Sequence, residues 1–448
     1  MSAPSHVNSV STKFLMMLSG LLIFLAPLFM NQFEERFELG AQIMGVLMLL
    51  VLFWTRENSG KIGYGNGLFI AISLLFVALY LVPFSLDIWK DLPGRTLYVD
   101  VSNFLTNRGV DIAYPALSLI PENTKRSLFY LIPLVALFLV TMSLSKTLVR
   151  GLVVVLLSIV FIEVALGIIQ YASGSDVFYM ADDHGNTASG TYENRDHFVG
   201  LIEMSLPLVI GLLVSSYSES SEKRGWLKGG GLSGSLTLLV LIILMLVVSF
   251  FSASRAGIGL IVFGVVVSVF VFAKNVGKVK SLGFLVISSV IGSIIAFKVG
   301  IVPILNRFAS DPMEDERWRI LENTKRIISD MYPWGSGPGT FPQVYRAYQP
   351  IEQQNFINQA HNDFLEIISD MGLFGALIIA TFLMLYLLRW VYLMRSARQS
   401  AFINLQIGAG IGMLLMLLHS YVDFNLHQMA NALVFVFLAG IFFRLSRQ

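Results

Sequence analysis

The chain has 448 residues, 55% of them apolar and only 13% charged, with a mean hydropathy of +0.71. About a quarter of an ordinary globular protein is charged, so this composition excludes a water-soluble body and indicates a polytopic integral membrane protein. A net charge of +2 gives no case for a nucleic-acid partner, and the absence of cysteine excludes disulfides, thiolate metal sites and cysteine nucleophiles.

A helical crossing needs ~20 mostly apolar residues. In chain order the runs predict an all-α membrane protein with about twelve transmembrane helices: 14–30, 39–54, 66–85, 127–145, 150–171, 197–217, 235–252, 256–273, 281–299, 371–394, 401–419 and 428–446. The first has a short polar lead and no small-residue cleavage site before Asn31-Gln32-Phe33-Glu34, so it reads as a retained span. Residues 1–448 are expected to form one membrane domain.

Short loops set orientation through Lys and Arg. With a cytoplasmic N-terminus, the inner segments carry sixteen such residues, among them Lys146, Arg150, Lys223, Arg224 and Arg395. The opposite short loops carry three, Arg36, Arg195 and Arg255. Both termini are therefore expected inside, and the long loops 86–126 and 300–370 outside. The segment 216–231 is rich in Ser, Gly and Lys and reads as a flexible inner loop. Residues 300–370 are too many for a structureless connection. They contain a helical pattern from Glu314 to Met331 and then a run of turn residues, 332–340. This large, partly helical loop between helices 9 and 10 is expected to cap the outer face.

Unusual polar residues gather on that outer side. They lie in Gly190–Phe198, Ser252–Gly257, Asp315–Leu321 and Ala360–Glu366. The planar fork of arginine matches phosphate oxygens two at a time. Arg195, Arg255, Arg317 and Arg319 thus suit an anionic headgroup such as a lipid pyrophosphate. The plainer reading of any one of them is an arginine that snorkels to the interface or pairs with a loop carboxylate. Arg255 resists that reading most, because it sits in a very short outer turn among small residues.

His361 stands near the start of a predicted helix, where the helix dipole favours a neutral ring able to accept a proton. Its plain alternative is a capping or loop histidine. His184, His197, His419 and His427 are lesser candidates, and their spacing gives no metal-site pattern. Glu163 and Glu203 fall inside predicted spans, where acids usually face a cavity or a partner. Glu203 is a candidate partner of Arg195 or Arg255, and both acids are open to a proton-path reading.

His361-Asn362 followed, after nine residues, by Gly372-Leu373-Phe374-Gly375 resembles the histidine–glycine motif of bacterial O-antigen ligases. Arg317-Trp318-Arg319-Ile320-Leu321 resembles that family's Arg-x3-Leu motif. The Pro333–Phe341 run is similar to its Pro-x-Gly-x-Gly-x-Gly-x-Phe segment, with Pro338 within it. Gly190–Phe198, Ser254–Gly257 and Asp423-Phe424-Asn425-Leu426 look like three further signatures. The resemblance covers roughly 150–440. It implies a C-type glycosyltransferase-like fold and transfer of a glycan from undecaprenyl diphosphate to an acceptor sugar hydroxyl, such as one on lipid A core. The implied setting is the periplasmic face of the bacterial inner membrane, with inversion and with no metal or other cofactor.

In this reading Arg195, Arg255, Arg317 and Arg319 hold the diphosphate, and His361 is the base. Asn194, Glu203, Asn362 and Glu366 support them. The partners are the lipid-linked donor, the glycan acceptor and membrane lipids. O-antigen and exopolysaccharide polymerases share the superfamily, and the stretch 194–198 and the long loop 86–126 leave that branch open. A polysaccharide transporter or flippase is the rival from another class. Its usual features are midplane helix breaks and symmetric halves, whereas here the polar residues lie mostly outside. A scaffold within an export machine would leave the Arg/His constellation unexplained.

Overall fold

The computed structural model describes residues 5–29, 34–55, 64–110, 115–173, 187–216, 232–276, 312–395 and 400–445. Fifteen α-helices run through these residues. In chain order they are α1 (Ser5–Leu28), α2 (Glu34–Thr55), α3 (Tyr64–Leu79), α4 (Leu86–Trp89), α5 (Thr96–Thr106), α6 (Pro121–Ser143), α7 (Lys146–Ser173) and α8 (Arg195–Ser216). They continue as α9 (Leu232–Phe251), α10 (Arg255–Val276), α11 (Pro312–Met331), α12 (Phe341–Tyr345), α13 (Asp363–Arg395), α14 (Ala401–His419) and α15 (Met429–Phe443). A 3-10 turn, Asn425–His427, precedes α15. Among the described residues there is no sheet, only an isolated bridge between Pro83 and Ala116.

Among the described residues, nine helices are long and apolar enough to cross a membrane: α1, α2, α6, α7, α8, α9, α10, α13 and α14. Two shorter apolar helices, Gly65–Leu79 and Met429–Phe443, fall on the third and twelfth expected spans. The expected span 281–299 and the flexible loop 217–231 lie outside the described residues, so nine crossings, rather than twelve, are supported by length and composition.

The bundle is built around α8 and α14, whose residues are buried almost throughout. Glycine lets these two approach. A Cβ on Gly408 would fall 2.5 Å from the Pro207 carbonyl oxygen, and one on Gly211 would fall 2.6 Å from that of Asn404. Gly408 and Gly412 form a small-xxx-small stripe, the pattern that allows close backbone packing between membrane helices. The remaining long helices pack around this pair and share one large apolar core.

A second, smaller core lies at one end of the bundle. Ile320, Ile327 and Met331 of α11 pack with Phe341, Val344 and Tyr345 of α12 and with Ile357 and Ala360. The helix predicted from Glu314 to Met331 is thus α11, and it belongs to a folded unit spanning residues 312–362. This unit is clamped to α13. The carboxylate of Asp370 accepts from Gly339 N at 2.6 Å and from the Ser336 hydroxyl at 3.3 Å, and Gly337 N donates to the Asp370 carbonyl at 2.7 Å.

α13 breaks at Gly372, whose φ of +50° and ψ of −130° are not helical. A side chain there would strike the Pro333 carbonyl. The break separates a short arm, residues 363–371, from the long apolar stretch that follows.

The loop between α3 and α6 is folded onto the same unit. Arg95 is fully buried, donating to the Leu117 carbonyl at 2.7 Å and to the Gly335 carbonyl at 3.4 Å. Burial lowers its pKa to about 10, so it keeps its charge at neutral pH.

Candidate functional site

Several of the residues singled out from sequence are set by the ends of α8, α10, α13 and α14, whereas Arg317 and Arg319 lie on α11. Asn194 caps α8 by accepting from Asp196 N at 2.7 Å. The turn before it is fixed from α7. The Gln170 side chain accepts from Gly190 N at 2.8 Å and donates to the Gly190 carbonyl at 2.6 Å. Glu163 accepts from Thr191 N at 2.8 Å and from the Thr191 hydroxyl at 2.6 Å. Glu163 is therefore an anchor for the segment that opens α8.

Arg195 is the first residue of α8, and Arg255 is the first of α10. Ser254 caps α10 through Gly257 N at 3.1 Å. Gly257 lies against Val199, so a Cβ added there would clash with that side chain. The two arginine-bearing helix starts are thus packed together. Both arginines are half-buried.

Asn362 caps α13, accepting from Leu365 N at 2.9 Å while its amide donates to the Tyr421 carbonyl at 2.8 Å. Asp363 N donates to the Ser420 carbonyl at 2.9 Å. These bonds stitch the start of α13 to the turn that follows α14. His361 has a φ of +52°, a conformation that few non-glycine residues adopt and that tends to mark functional sites. Its Nδ1 lies 3.3 Å from Oδ1 of Asp423, a buried residue.

A carboxylate can only accept, so this contact puts a ring proton on Nδ1. Burial works against an ionised Asp423. The His361 bond and the positive potential of His197, His419 and Arg317 outweigh burial and hold the acid well below the usual carboxylate range. Phe424 stands edge-on to both imidazoles, with ring centroids 5.0 Å from His361 and 4.7 Å from His197.

Arg317 of α11 reaches across to α8, with Nη2 3.6 Å from Oδ2 of Asp196. Its buried Nε has no hydrogen-bond partner among the described residues. Arg317 and His361 are therefore brought to the same end of the bundle. Arg319 is not brought there. It is exposed and lines a separate groove with Trp318 and Glu322. Two positions along a helix turn the side chain through about 200°, which is why the neighbours in this motif part company.

Glu203 is not the partner of Arg195 or Arg255. It is wholly buried on α8, with Oε2 3.1 Å from Nδ1 of His419, also wholly buried. The pair ties α8 to α14. Glu366 accepts from Ala360 N at 2.7 Å and, through Oε1, faces Nε2 of His427 at 3.0 Å. Nδ1 of the same ring lies 2.7 Å from Oδ1 of Asp363. Both ring nitrogens face carboxylates, which calls for an imidazolium. Burial alone would lower the His427 pKa, but Glu366 and Asp363 raise it well above its ordinary value.

Asp196, Asp363 and the pairing roles of Asp423 and His427 were not singled out from sequence. Asp423 lies in a recognisable motif, but its link to His361 spans 62 residues. The i,i+3 spacing of Asp363 and Glu366 is visible in the sequence, whereas the ring they share is 64 residues from Asp363. Among the described residues no group of three or more His, Asp or Glu is placed to hold a metal ion.

These features define a multi-pass, all-helical membrane protein. A folded unit at one end of its bundle brings an arginine to the helix start that carries Asp196, beside a histidine–aspartate pair. Residues 240–380 match the family model described as O-antigen ligase. The match includes Arg255, Arg317, Arg319, His361, Asn362 and Glu366, and ends before Asp423. None of the curated proteins matches the chain.

Proposed function

We propose that the protein transfers a glycan from undecaprenyl diphosphate to an acceptor sugar hydroxyl, lipid A core in the ligase case, at the periplasmic face of the bacterial inner membrane. The observation that carries this reading is the His361–Asp423 pair, near Arg317 and within or beside the matched region. Arg195, Arg255 and Arg317 hold the diphosphate and stabilise the charge that grows on it. Asn194 and Asn362 set the helix starts, while Glu203 and Glu366 fix the neighbouring histidines.

In the reaction the acceptor oxygen attacks the anomeric carbon and a new C–O bond forms. The bond to the diphosphate breaks, and its electron pair leaves with the phosphate oxygen. Nε2 of His361 takes the hydroxyl proton. A single displacement inverts the anomeric centre. Arginine forks neutralise the leaving group in place of a divalent cation.

The test supplies the purified protein with a polyprenyl-diphosphate glycan and candidate acceptors in excess EDTA. Glycan on lipid core supports the ligase reading. Longer lipid-linked glycan would assign the polymerase branch. Loss of transfer in EDTA, restored by magnesium or manganese, would overturn the metal-independent scheme. Glu163 and Glu203, the acids on which the transporter reading rests, face Thr191 and His419.

A further inference from the structure

The outward face of α11 carries a groove that the scheme above does not use. It is lined by Trp318, Arg319, Glu322, Asn323 and Arg326 of α11 and by Pro350 and Glu352 of the segment after α12, and its volume is about 480 Å³. This lies within the roughly 300–1,000 Å³ usual for ligand sites. Trp318 is 63% exposed. It is not needed for packing, because Ile320, Ile327 and Met331 already fill the small core from the other side of the helix.

Around this flat aromatic surface stand two guanidinium groups and carboxylates. The Glu322 carboxylate is held by Lys325 at 2.8 Å rather than by either arginine. Asn323 is fixed by Tyr345 at 3.3 Å. With Lys325 counted beside Glu322, three cations face two glutamates, a net charge of about +1, so the groove suits a neutral or weakly anionic ligand rather than a polyanion. A sugar ring matches this surface. Its apolar face stacks on an aromatic ring, and its hydroxyls both donate and accept, so they can engage guanidinium and carboxylate groups together.

We propose that this groove binds the glycan of the lipid-linked donor, beyond the sugar that reacts. The proposal rests on the transferase reading. Arg317 directs its guanidinium toward Asp196, and Trp318 is the next residue on the same helix. A donor whose diphosphate is held by Arg317 reaches the groove if its glycan turns about 100° round α11, the step from Arg317 to Trp318. This reassigns Arg319 from diphosphate to glycan contact.

Two measurements on the full-length protein in nanodiscs test this. The first is binding of the free oligosaccharide released from the host's lipid-linked glycan, which needs no turnover. Wild type should bind it, Trp318→Ala should lose about tenfold in affinity, and Trp318→Phe should retain most of it. The second is the ratio of kcat/KM for a donor carrying the full repeat unit to that for a donor carrying one sugar. This ratio should fall by about the same factor in Trp318→Ala. Binding without any transfer would sink the transferase reading while leaving the groove in place. The groove assignment is overturned if wild type does not bind the oligosaccharide or if Trp318→Ala binds it equally. It is also overturned if acceptor oligosaccharide binds in its stead, or if both donors lose rate equally, as an aromatic anchored in lipid would produce.

Discussion

Replacing Asp423 with asparagine keeps its size and removes its charge. The amide oxygen can still accept from His361 Nδ1 and from Phe424 N, as Oδ1 does now, but an imidazolium formed when His361 takes a proton loses its counter-charge. Asp423→Asn and His361→Ala should therefore both lower single-turnover transfer on the order of a hundredfold to ten-thousandfold. Donor-lipid binding should stay near wild type, whereas Arg317→Ala should weaken binding and turnover together. If His361→Ala loses donor binding as severely as Arg317→Ala, His361 is a phosphate ligand and not the base.

His427 makes a different prediction at the same scale. Its pKa is raised on folding, so its stabilisation is complete below about pH 6.5 and is lost as pH rises through the folded value. His427→Ala should lower the Tm of the detergent-purified protein most at pH 6, and the gap from wild type should narrow in alkaline buffer. A gap that widens with pH would mean that the ring is neutral.

Gly372 shows how one element holds another. Its positive φ and the nearness of the Pro333 carbonyl leave no room for a side chain. Gly372→Ala should cost at least about 1–3 kcal/mol from backbone strain alone. It should also loosen the segment 332–341, read as faster proteolysis there with the rest of the bundle intact. Much of this element was legible as sequence. The glycine run announced turns, and the spacing from His361 to Gly372 marked a unit. The sequence did not show that the unit is an arm of α13 which ends where the loop crosses it. That requires the clamp through Asp370, formed between residues some thirty positions apart.

Among the described residues the span pattern was largely readable, because apolar runs of membrane length have few other uses. Boundaries moved where tertiary contacts intervened, as at α3, which stops at Leu79 just before the Pro83–Ala116 bridge. The positions of Arg317 and His361 at one end were also foreseeable, since both flank the same loop. The divergence of Arg319, the Glu203–His419 tie and the seat of His427 depend on helix rotation and on distant pairings, and no spacing rule supplies them. Orientation makes its own prediction. A cysteine at Gln353 should label with an impermeant maleimide in intact spheroplasts, and one at Ser220 should not. The native chain has no cysteine to confuse the readout. The reverse pattern would move the site to the cytoplasm and defeat the periplasmic reading.

Arg95 has a consequence for the order of biosynthesis. Its contacts to Met331 and Gly335 lie 236 and 240 residues downstream. Nearby, Tyr80 donates to the carbonyls of Trp334 and Met371, and Thr124 to that of Pro338 at 3.0 Å. At about 5–20 residues per second, the ribosome needs on the order of tens of seconds to deliver those partners. Through that interval the segment between α3 and α6 has emerged with a cation it cannot yet bury. The first half of the chain is thus held open until the second half arrives, and insertion of the early helices runs well ahead of completion of the end that carries the site.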